Sequence, residues 1–202
     1  MVTSYRMSPT ARRGQLLDTA QQLFTSEPFE DVSMSQIATR AGVTRALVYH
    51  YFPTKAELFA AIWSRSHDTL GATVDFDRAG TVRDGLVSTL AAHLDFYERH
   101  LPLVLIANRS SIAATPVVRE PLDATFATLC TAVLDAASAS GTERRLAQTA
   151  FLGWIGFVRE ATLASLVDNT ITPAENLDMC VTALDATVGA HVDLRVVPAH
   201  PR

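Results

Sequence analysis

Helix-start signals, each followed by apolar residues at helical spacing, recur along the whole chain. Ser8 and Pro9 begin the first helix, because a hydroxyl caps the free N–H groups and proline fits the first helical position. Three further starts are capping boxes, at Ser33–Gln36, Thr54–Glu57 and Thr172–Glu175. No run of alternating apolar and polar residues competes with these signals, so the sequence predicts an all-α protein of about nine helices.

Composition excludes several other classes of protein. Hydrophobic residues make up 48% of the 202 residues and charged residues 19%, which excludes a disordered chain. The longest near-continuous apolar run, Phe151 to Val158, is far shorter than the roughly 18 residues of a membrane span. The N-terminus lacks the apolar segment of a secretory signal, and Cys130 and Cys180 lack metal-ligand spacing. We therefore expect a cytoplasmic protein without a metal, a cofactor or a membrane partner.

Charge is distributed unevenly along the chain. Residues 1–66 carry seven Lys or Arg and five Asp or Glu, whereas the remainder carries ten and sixteen. A basic head on an acidic body is typical of a small DNA-binding module attached to a larger domain. Apolar periodicity is lost between Gly71 and Gly80. The predicted division is a helix-turn-helix domain at 1–53, a connecting helix at 54–70 and a helical body at 71–202.

Residues Met34–Phe52, MSQIATRAGVTRALVYHYF, have the spacing of a helix-turn-helix. Ala38 is small enough for a close helix crossing, Gly42 accepts a positive φ in the turn, and Val48 anchors the second helix. Hydroxyls, an arginine and aromatic side chains remain on the other face of that second helix, where they suit a DNA major groove and its phosphates. The alternative from the residues alone is a helical hairpin that only packs.

The longer string VTRALVYHYFPTKAELF resembles the signature of the TetR family of transcriptional regulators. The resemblance covers about Ser8–Leu58, and beyond it only the helix number and lengths are compatible with the family. It implies an N-terminal three-helix DNA-binding domain followed by a helical domain for ligand binding and dimerisation. Ala46 and Leu47 stand where Gly and Thr are common in the family, so the operator sequence of a relative cannot be transferred.

The resemblance also implies a set of DNA-contacting residues. Ser33 and Thr44 begin helices that meet phosphates or base edges, and Arg45 is the expected base reader because its guanidinium matches guanine O6 and N7. Lys55, the only lysine in the chain, is expected at a phosphate at the start of the fourth helix. The remaining phosphate contacts are expected from Tyr49 with His50 or Tyr51.

The last two helices are the predicted dimer interface. The first of the two, around Phe151–Val158, is apolar on more than one face, so it is either wholly internal or covered by a ligand or a partner chain. By resemblance, the two helices within about 142–192 form a four-helix bundle with a second copy. The predicted interface stripe on the final helix consists of Leu177, Val181, Leu184 and Val188.

A ligand pocket is expected in the body, where a few polar groups interrupt apolar helices. Such a mixture of apolar walls and few polar groups is typical of organic-ligand pockets, although ordinary core packing explains the same residues. His93, Tyr97 and His100 share one side of a helix, and we favour a pocket wall or a solvated face over a metal cluster. The candidate pocket residues are His93, Tyr97, Asn108, Phe126, Trp154 and Phe157.

The predicted function is that of a ligand-responsive repressor that binds a palindromic operator in double-stranded DNA as a homodimer. Its effector is expected to be a small apolar or amphipathic molecule. The chain has no catalytic or nucleotide-binding motif, so we expect no enzyme. An activator or a ligand-independent regulator of the same fold is the alternative, and a helical small-molecule-binding protein or enzyme is a remote one.

Overall fold

The computed structural model describes residues 7–67 and 79–198, and the regular structure in these ranges is entirely helical. Most of the predicted connection between Gly71 and Gly80 lies outside these residues. A π-helical turn, Ala164–Asp168, continues the eighth helix. The nine α-helices in these ranges are α1 (Pro9–Ser26), α2 (Met34–Ala41), α3 (Arg45–Tyr51), α4 (Lys55–His67), α5 (Val82–Arg99), α6 (Leu101–Arg109), α7 (Pro116–Ala136), α8 (Gly141–Leu163) and α9 (Pro173–Thr187). The predicted all-α fold is confirmed.

The chain forms two compact units. The first unit contains the described residues of 1–69 together with 102–121, and the second unit contains those of 70–101 and 122–202. α1 to α4 therefore belong to the first unit, whereas α5, α8 and α9 belong to the second. These units describe packing alone, so the predicted functional segments 1–53, 54–70 and 71–202 remain a proposal.

The core of the first unit is built by α1, α2, α3 and α4. α1 contacts α2 and α4, and α2 contacts α3. Leu16 of α1, Ile37 of α2, Val48 of α3 and Leu58 of α4 have no exposed surface. Burial of four such side chains contributes about 1.5–3 kcal/mol each relative to exposure, so these contacts fix how the short helices α2 and α3 are held.

The core of the second unit lies between α5, α7, α8 and α9. Leu86, Leu134, Phe151 and Leu184 represent the four helices in this core, and each is at most 1% exposed. Trp154 of α8 is also buried, and its indole Nε1–H donates to the Cys180 carbonyl at 2.8 Å. A bond of this kind satisfies the polar end of a buried tryptophan and joins α8 to α9.

Candidate nucleic-acid interface

A tight turn joins α2 to α3. Gly42 ends α2 with φ 66°, in the left-handed region that a residue without Cβ enters at no steric cost. The Val43 N–H donates to the Ala38 carbonyl at 3.0 Å, and Thr44 then caps α3 by accepting from the Leu47 N–H. Since Val48 is fully buried, α3 is held by one face and leaves the opposite face to solvent. This is the helix-turn-helix geometry that the Ala38, Gly42 and Val48 spacing predicts.

The exposed polar residues of α3 and its cap form what we call the DNA face: Thr44, Arg45, Tyr49 and His50. Arg45 and Tyr49 lie one turn apart, and the Arg45 Nη2–H donates to the Tyr49 hydroxyl at 3.2 Å. The Arg45 guanidinium also lies 5.2 Å from the centre of the Tyr49 ring. These two contacts restrict the rotamers of both side chains, which lowers the entropy cost of placing the guanidinium on a base edge.

Tyr51 and Ser33 have other environments. Tyr51 is half-buried, and its ring meets the His50 ring edge-on with centroids 5.4 Å apart. The exposed Ser33 hydroxyl accepts from the Gln36 N–H at 3.2 Å and donates to the Gln36 side-chain oxygen at 2.9 Å. The predicted capping box is therefore present, and it occupies the hydroxyl that we expect at a phosphate or base edge. The DNA contacts of both residues stay predictions.

Lys55 lies among backbone carbonyls of the loop between α1 and α2. Its ammonium donates to the Phe29 carbonyl at 2.7 Å and the Val32 carbonyl at 2.9 Å, with the Glu30 carbonyl at 3.5 Å. It also lies 4.2 Å from the centre of the Phe29 ring. Burial lowers the pKa of Lys55, against the opposing effect of nearby carboxylates. These contacts give Lys55 a structural role, and its phosphate contact stays a prediction from the resemblance alone.

Sequence reasoning missed the contact between the same loop and the turn after α6. The Glu30 carboxylate accepts from the Ser111 backbone N–H and from the Ser111 hydroxyl, both at 3.0 Å. The Ser111 backbone N–H is the first of the causes that lower the pKa of Glu30. Because the two residues are 81 positions apart, no local pattern in the sequence signals this pair.

The structure brings together three of the six candidate pocket residues. The His93 ring lies 4.3 Å from the Tyr97 ring and 6.2 Å from the Phe126 ring, in the second unit. Trp154 belongs instead to the buried core, Phe157 is 39% exposed, and Asn108 lies in the first unit, where its amide donates to the Val104 carbonyl. The six residues therefore do not form one group, and a pocket lined by all of them stays a prediction.

The predicted dimer stripe on α9 faces the core of its own unit. Leu184 and Val188 have no exposed surface, and Leu177 and Val181 pack half-buried against the same core. The periodicity correctly marked a buried face, but that face is covered within the chain by α5, α7 and α8. The assignment of Leu184 and Val188 to an interface between two copies is therefore corrected.

A different apolar surface is exposed on α8, and we call it the α8 face: Leu146, Leu152, Gly153 and Phe157. Its three large side chains are 48%, 52% and 39% exposed, and Met179 of α9 is 37% exposed. A Cβ added to Gly153 or Gly156 would meet no atom within 4 Å. Glycine in a helix interior costs about 1 kcal/mol relative to alanine, and the packing of this chain does not require it at either position.

Within residues 7–67 and 79–198, no group of three or more His, Cys, Asp or Glu is placed to hold a metal ion. Cys130 and Cys180 are buried free thiols. Burial raises the pKa of the Cys180 thiol to about 11, so this group is protonated at neutral pH.

Comparisons with known proteins point to one family. Residues 16–62, which span most of α1 and all of α2 and α3, match the family model "Bacterial regulatory proteins, tetR family". The chain is 35% identical over 95 residues to the HTH-type transcriptional activator FasR of Mycolicibacterium smegmatis, a match that covers 46% of this chain and 43% of FasR. It is 30% identical over 104 residues to the HTH-type transcriptional regulator AcrR of Shigella flexneri, which covers 48% of each protein. The matched part thus spans about half of these relatives.

Solved structures extend the likeness over nearly the whole fold. A tetR-family transcriptional regulator from Streptomyces coelicolor has a TM-score of 0.72 and 27% identity, over 92% of this chain and 83% of that chain. A TetR transcriptional regulator from Rhodococcus sp. RHA1 has a TM-score of 0.66 over 90% and 97% of the two chains, and at 22% identity it shows the fold alone. Residues 16–62 thus match the sequence model of the TetR family, and the fold of the described residues is that of solved TetR-family regulators.

Proposed function

We propose that the protein is a transcriptional regulator that binds operator DNA through the DNA face of α3. The observation that carries this proposal is the Arg45–Tyr49 pair, exposed on a helix whose other face is anchored by Val48. The match of residues 16–62 to a family of regulatory proteins supports the same role.

The chemistry of the DNA face supports a division of contacts. The Arg45 guanidinium presents parallel N–H donors, which match the O6 and N7 acceptors of guanine in the major groove. Thr44, Tyr49 and His50 supply shorter polar groups at the two ends of α3, where the flanking phosphates run. Phosphate contacts position the helix, and Arg45 then reads a base.

The α8 face supports a homodimer. Its apolar side chains gain about 25 cal/mol for each Å² removed from water, and Gly153 lets a second helix approach closely. α8 and the π-helical turn, Gly141–Asp168, are long and apolar enough to span a membrane, but a helix packed on two protein surfaces has the same composition. The proposed partner of this face is the same face of a second copy, related by a two-fold axis.

We infer that the regulator acts in the cytoplasm as a repressor, that a small apolar or amphipathic effector releases it from DNA, and that it has no enzymatic activity. The relatives are named as transcriptional regulators. Activation is the second candidate, because the FasR relative is named an activator.

Selection from a random pool of duplex DNA tests the proposed function. We expect the wild-type chain to enrich an inverted repeat whose half-site centres lie about 34–36 Å, or a multiple of this distance, apart. A reporter gene placed behind the selected sequence then reports the sign of regulation. Recovery of sequences without an inverted repeat would contradict a dimer, and no enrichment over the starting pool would contradict sequence-specific DNA binding.

A further inference from the structure

A cleft in the second unit lies between α5, the π-helical turn and the start of α9. It consists of a cavity of about 280 Å³ and a neighbouring one of about 490 Å³. The two cavities share Glu98, Ser165, Leu166 and Pro173 in their walls, so they are two parts of one cleft. None of the six candidate pocket residues from the sequence lines either cavity.

The floor of the cleft is polar and buried. Thr162, Ser165 and Asn176 are 1%, 4% and 2% exposed, although each carries a side chain that prefers water. The Asn176 amide donates to the Thr162 hydroxyl at 3.2 Å, and the Ser165 hydroxyl donates to the Ile171 carbonyl at 3.0 Å. The Asn176 oxygen accepts only the weak donor Sγ–H of Cys180, at 3.5 Å, within the described residues. The floor thus keeps oxygen lone pairs that remain available to a donor.

The π-helical turn shapes this floor. Ser165 and Leu166 lie in this turn, where α8 departs from regular α-helical geometry, and both line the 280 Å³ cavity. Asn169 then ends the turn in the left-handed conformation, at φ 51°. π-helical turns within α-helices are rare and occur frequently at functional sites.

The charge of the cleft has one sign. Asp95, Glu98 and Glu175 line it, and no Lys, Arg or His is among its described lining residues. Arg99 balances Asp95 through a 2.6 Å ion pair, and Glu175 accepts the Thr172 N–H in a capping box. Glu98 is exposed and makes no hydrogen bond or ion pair within the described part of the chain, so its carboxylate is available to a ligand.

The remaining wall is apolar. Leu94 of α5, Leu166 of the π-helical turn and Leu177 of α9 are half-buried around the 280 Å³ cavity. Carboxylate and oxygen acceptors next to an aliphatic wall complement a molecule with an N–H-bearing cationic head and an apolar tail. We propose that this cleft binds an amphipathic organic cation, with its ammonium group at Glu98 and its tail against the three leucines.

NMR titration of the ¹⁵N-labelled full chain with three probes of eight carbon atoms each tests the site: n-octylammonium, n-octanoate and 1-octanol. We expect n-octylammonium to shift the Asn176 side-chain amide and the Ser165 and Leu166 backbone amides saturably. Its affinity should exceed that of 1-octanol, and n-octanoate should bind more weakly than either, because the cleft is acidic. Equal binding of n-octanoate and n-octylammonium, or shifts confined to other parts of the chain, would overturn the proposal.

Two variants and a matched control define the residues. Glu98→Gln should weaken n-octylammonium binding about fivefold without changing 1-octanol binding, as expected for one partly exposed charge-assisted contact. Ala91→Phe should abolish binding of all probes, because exposed Ala91 lines the 280 Å³ cavity and a phenyl ring would fill it. Glu120→Gln removes the same charge from exposed Glu120 outside the cleft and should change binding less than about twofold. Identical behaviour of Glu98→Gln and Glu120→Gln would overturn the assignment of the ammonium group.

The identification of this ligand with the effector rests on the proposed function and has a separate readout. We expect n-octylammonium to lower the affinity of the wild-type chain for its selected operator and to leave Ala91→Phe unaffected. Cation binding without a change in operator affinity would contradict the effector role but not the site. Failure of the wild-type chain to select any operator would contradict the proposed function, whereas the NMR result would stand on its own.

Discussion

α3 and α8 each bury one face in their own unit and leave another face exposed, but the two exposed faces differ in chemistry. α3 is anchored by Val48 and exposes Arg45 and Tyr49. α8 is anchored by Phe151 and Trp154 and exposes Leu152 and Phe157. α3 is seven residues long and its exposed face carries polar hydrogen-bond donors. α8 is 23 residues long and its exposed face carries aliphatic, aromatic and small side chains.

The difference indicates what kind of partner each face has. Water solvates the Arg45 guanidinium well, so its exposure carries no free-energy penalty. A phosphate or base edge can replace this water with charge-assisted hydrogen bonds of defined geometry. Leu152 and Phe157 are 52% and 39% exposed, so covering each with a second protein surface would gain about 1 kcal/mol, roughly half of what burial of a fully exposed side chain gives. A polar exposed face thus favours a nucleic acid, and an apolar one favours another chain.

The largest expected effect comes from a charge on the α8 face. We expect the wild-type chain to be a dimer at micromolar concentration and Phe157→Asp to be a monomer, because the interface would bury an unpaired carboxylate. Loss of the dimer removes one of two half-site contacts, so operator affinity should fall at least about 100-fold. Analytical ultracentrifugation and fluorescence anisotropy measure the two quantities.

Thr128→Asp is the control for that variant. Thr128 is exposed on α7 and lies outside the α8 face. It should stay dimeric with unchanged operator affinity. A dimeric Phe157→Asp chain, or a monomeric wild type, would exclude the α8 face as the interface.

The next largest effect is expected on the DNA face. Arg45→Ala should cost about 1–3 kcal/mol in operator binding, which is roughly a 5- to 150-fold loss, and should relax the base preference at one position of each half-site. Arg109→Ala removes the same charge from an exposed site in the last turn of α6 and should leave the selected sequence unchanged. Competition between operator variants in fluorescence anisotropy separates the two outcomes.

Local patterns predicted the helices well, because the physics of a helix start is local. The caps at Ser8, Ser33 and Thr172 depend on residues within three positions, and all three are present. The turn at Gly42 was predictable for the same reason, since only the conformation of one residue decides it.

Partners between distant parts of the chain were not predictable in the same way. The apolar periodicity of α9 identified a buried stripe at Leu184 and Val188, but a periodicity does not say which surface covers it. The sequence showed Lys55 at a helix start, whereas its carbonyl partners lie 23 to 26 residues earlier. In the sequence, the only sign of the exposed α8 face was that apolar residues lie on more than one side of this helix.

A Lys55 variant tests whether this residue stabilises the domain that carries the DNA face or contacts DNA itself. We expect Lys55→Met to lower the free energy of unfolding by about 1–3 kcal/mol, since the loop carbonyls lose a charged donor. We also expect the dependence of operator affinity on salt to keep its slope. A slope flattened by about 0.9 for each protomer, without loss of stability, would instead support the phosphate contact. Thermal unfolding and anisotropy at several salt concentrations measure the two effects.

The smallest effect is expected at Asp185, which lies on neither exposed face. Its carboxylate forms a bidentate pair with Arg83, and the hydrogen bonds from Arg83 are the first cause that lowers the pKa of Asp185. A carboxylate with a lowered pKa stabilises the fold above its unfolded pKa of about 4, and this stabilisation is lost as the pH falls through the folded value.

Asp185→Asn should therefore lower stability at pH 7 by about 0.5 kcal/mol, a value kept small because the pair is partly exposed to solvent. The difference from wild type should shrink below about pH 4. Asp178→Asn, at an exposed position of the same helix, is the control. Urea unfolding at several pH values tests this, and a difference that grows with acidity would contradict it.

Hydrogen exchange measured at two protein concentrations, with and without the selected operator, tests most directly that the two faces have different partners. We predict that the operator slows exchange in α2 and α3, around Arg45 and Tyr49, at a fixed protein concentration. A rise in protein concentration without DNA should slow exchange in α8 around Leu152 and Phe157. Protection of α8 by DNA alone, or no protection of α3 by the operator, would contradict the assignment of DNA to α3 and of a second copy to α8.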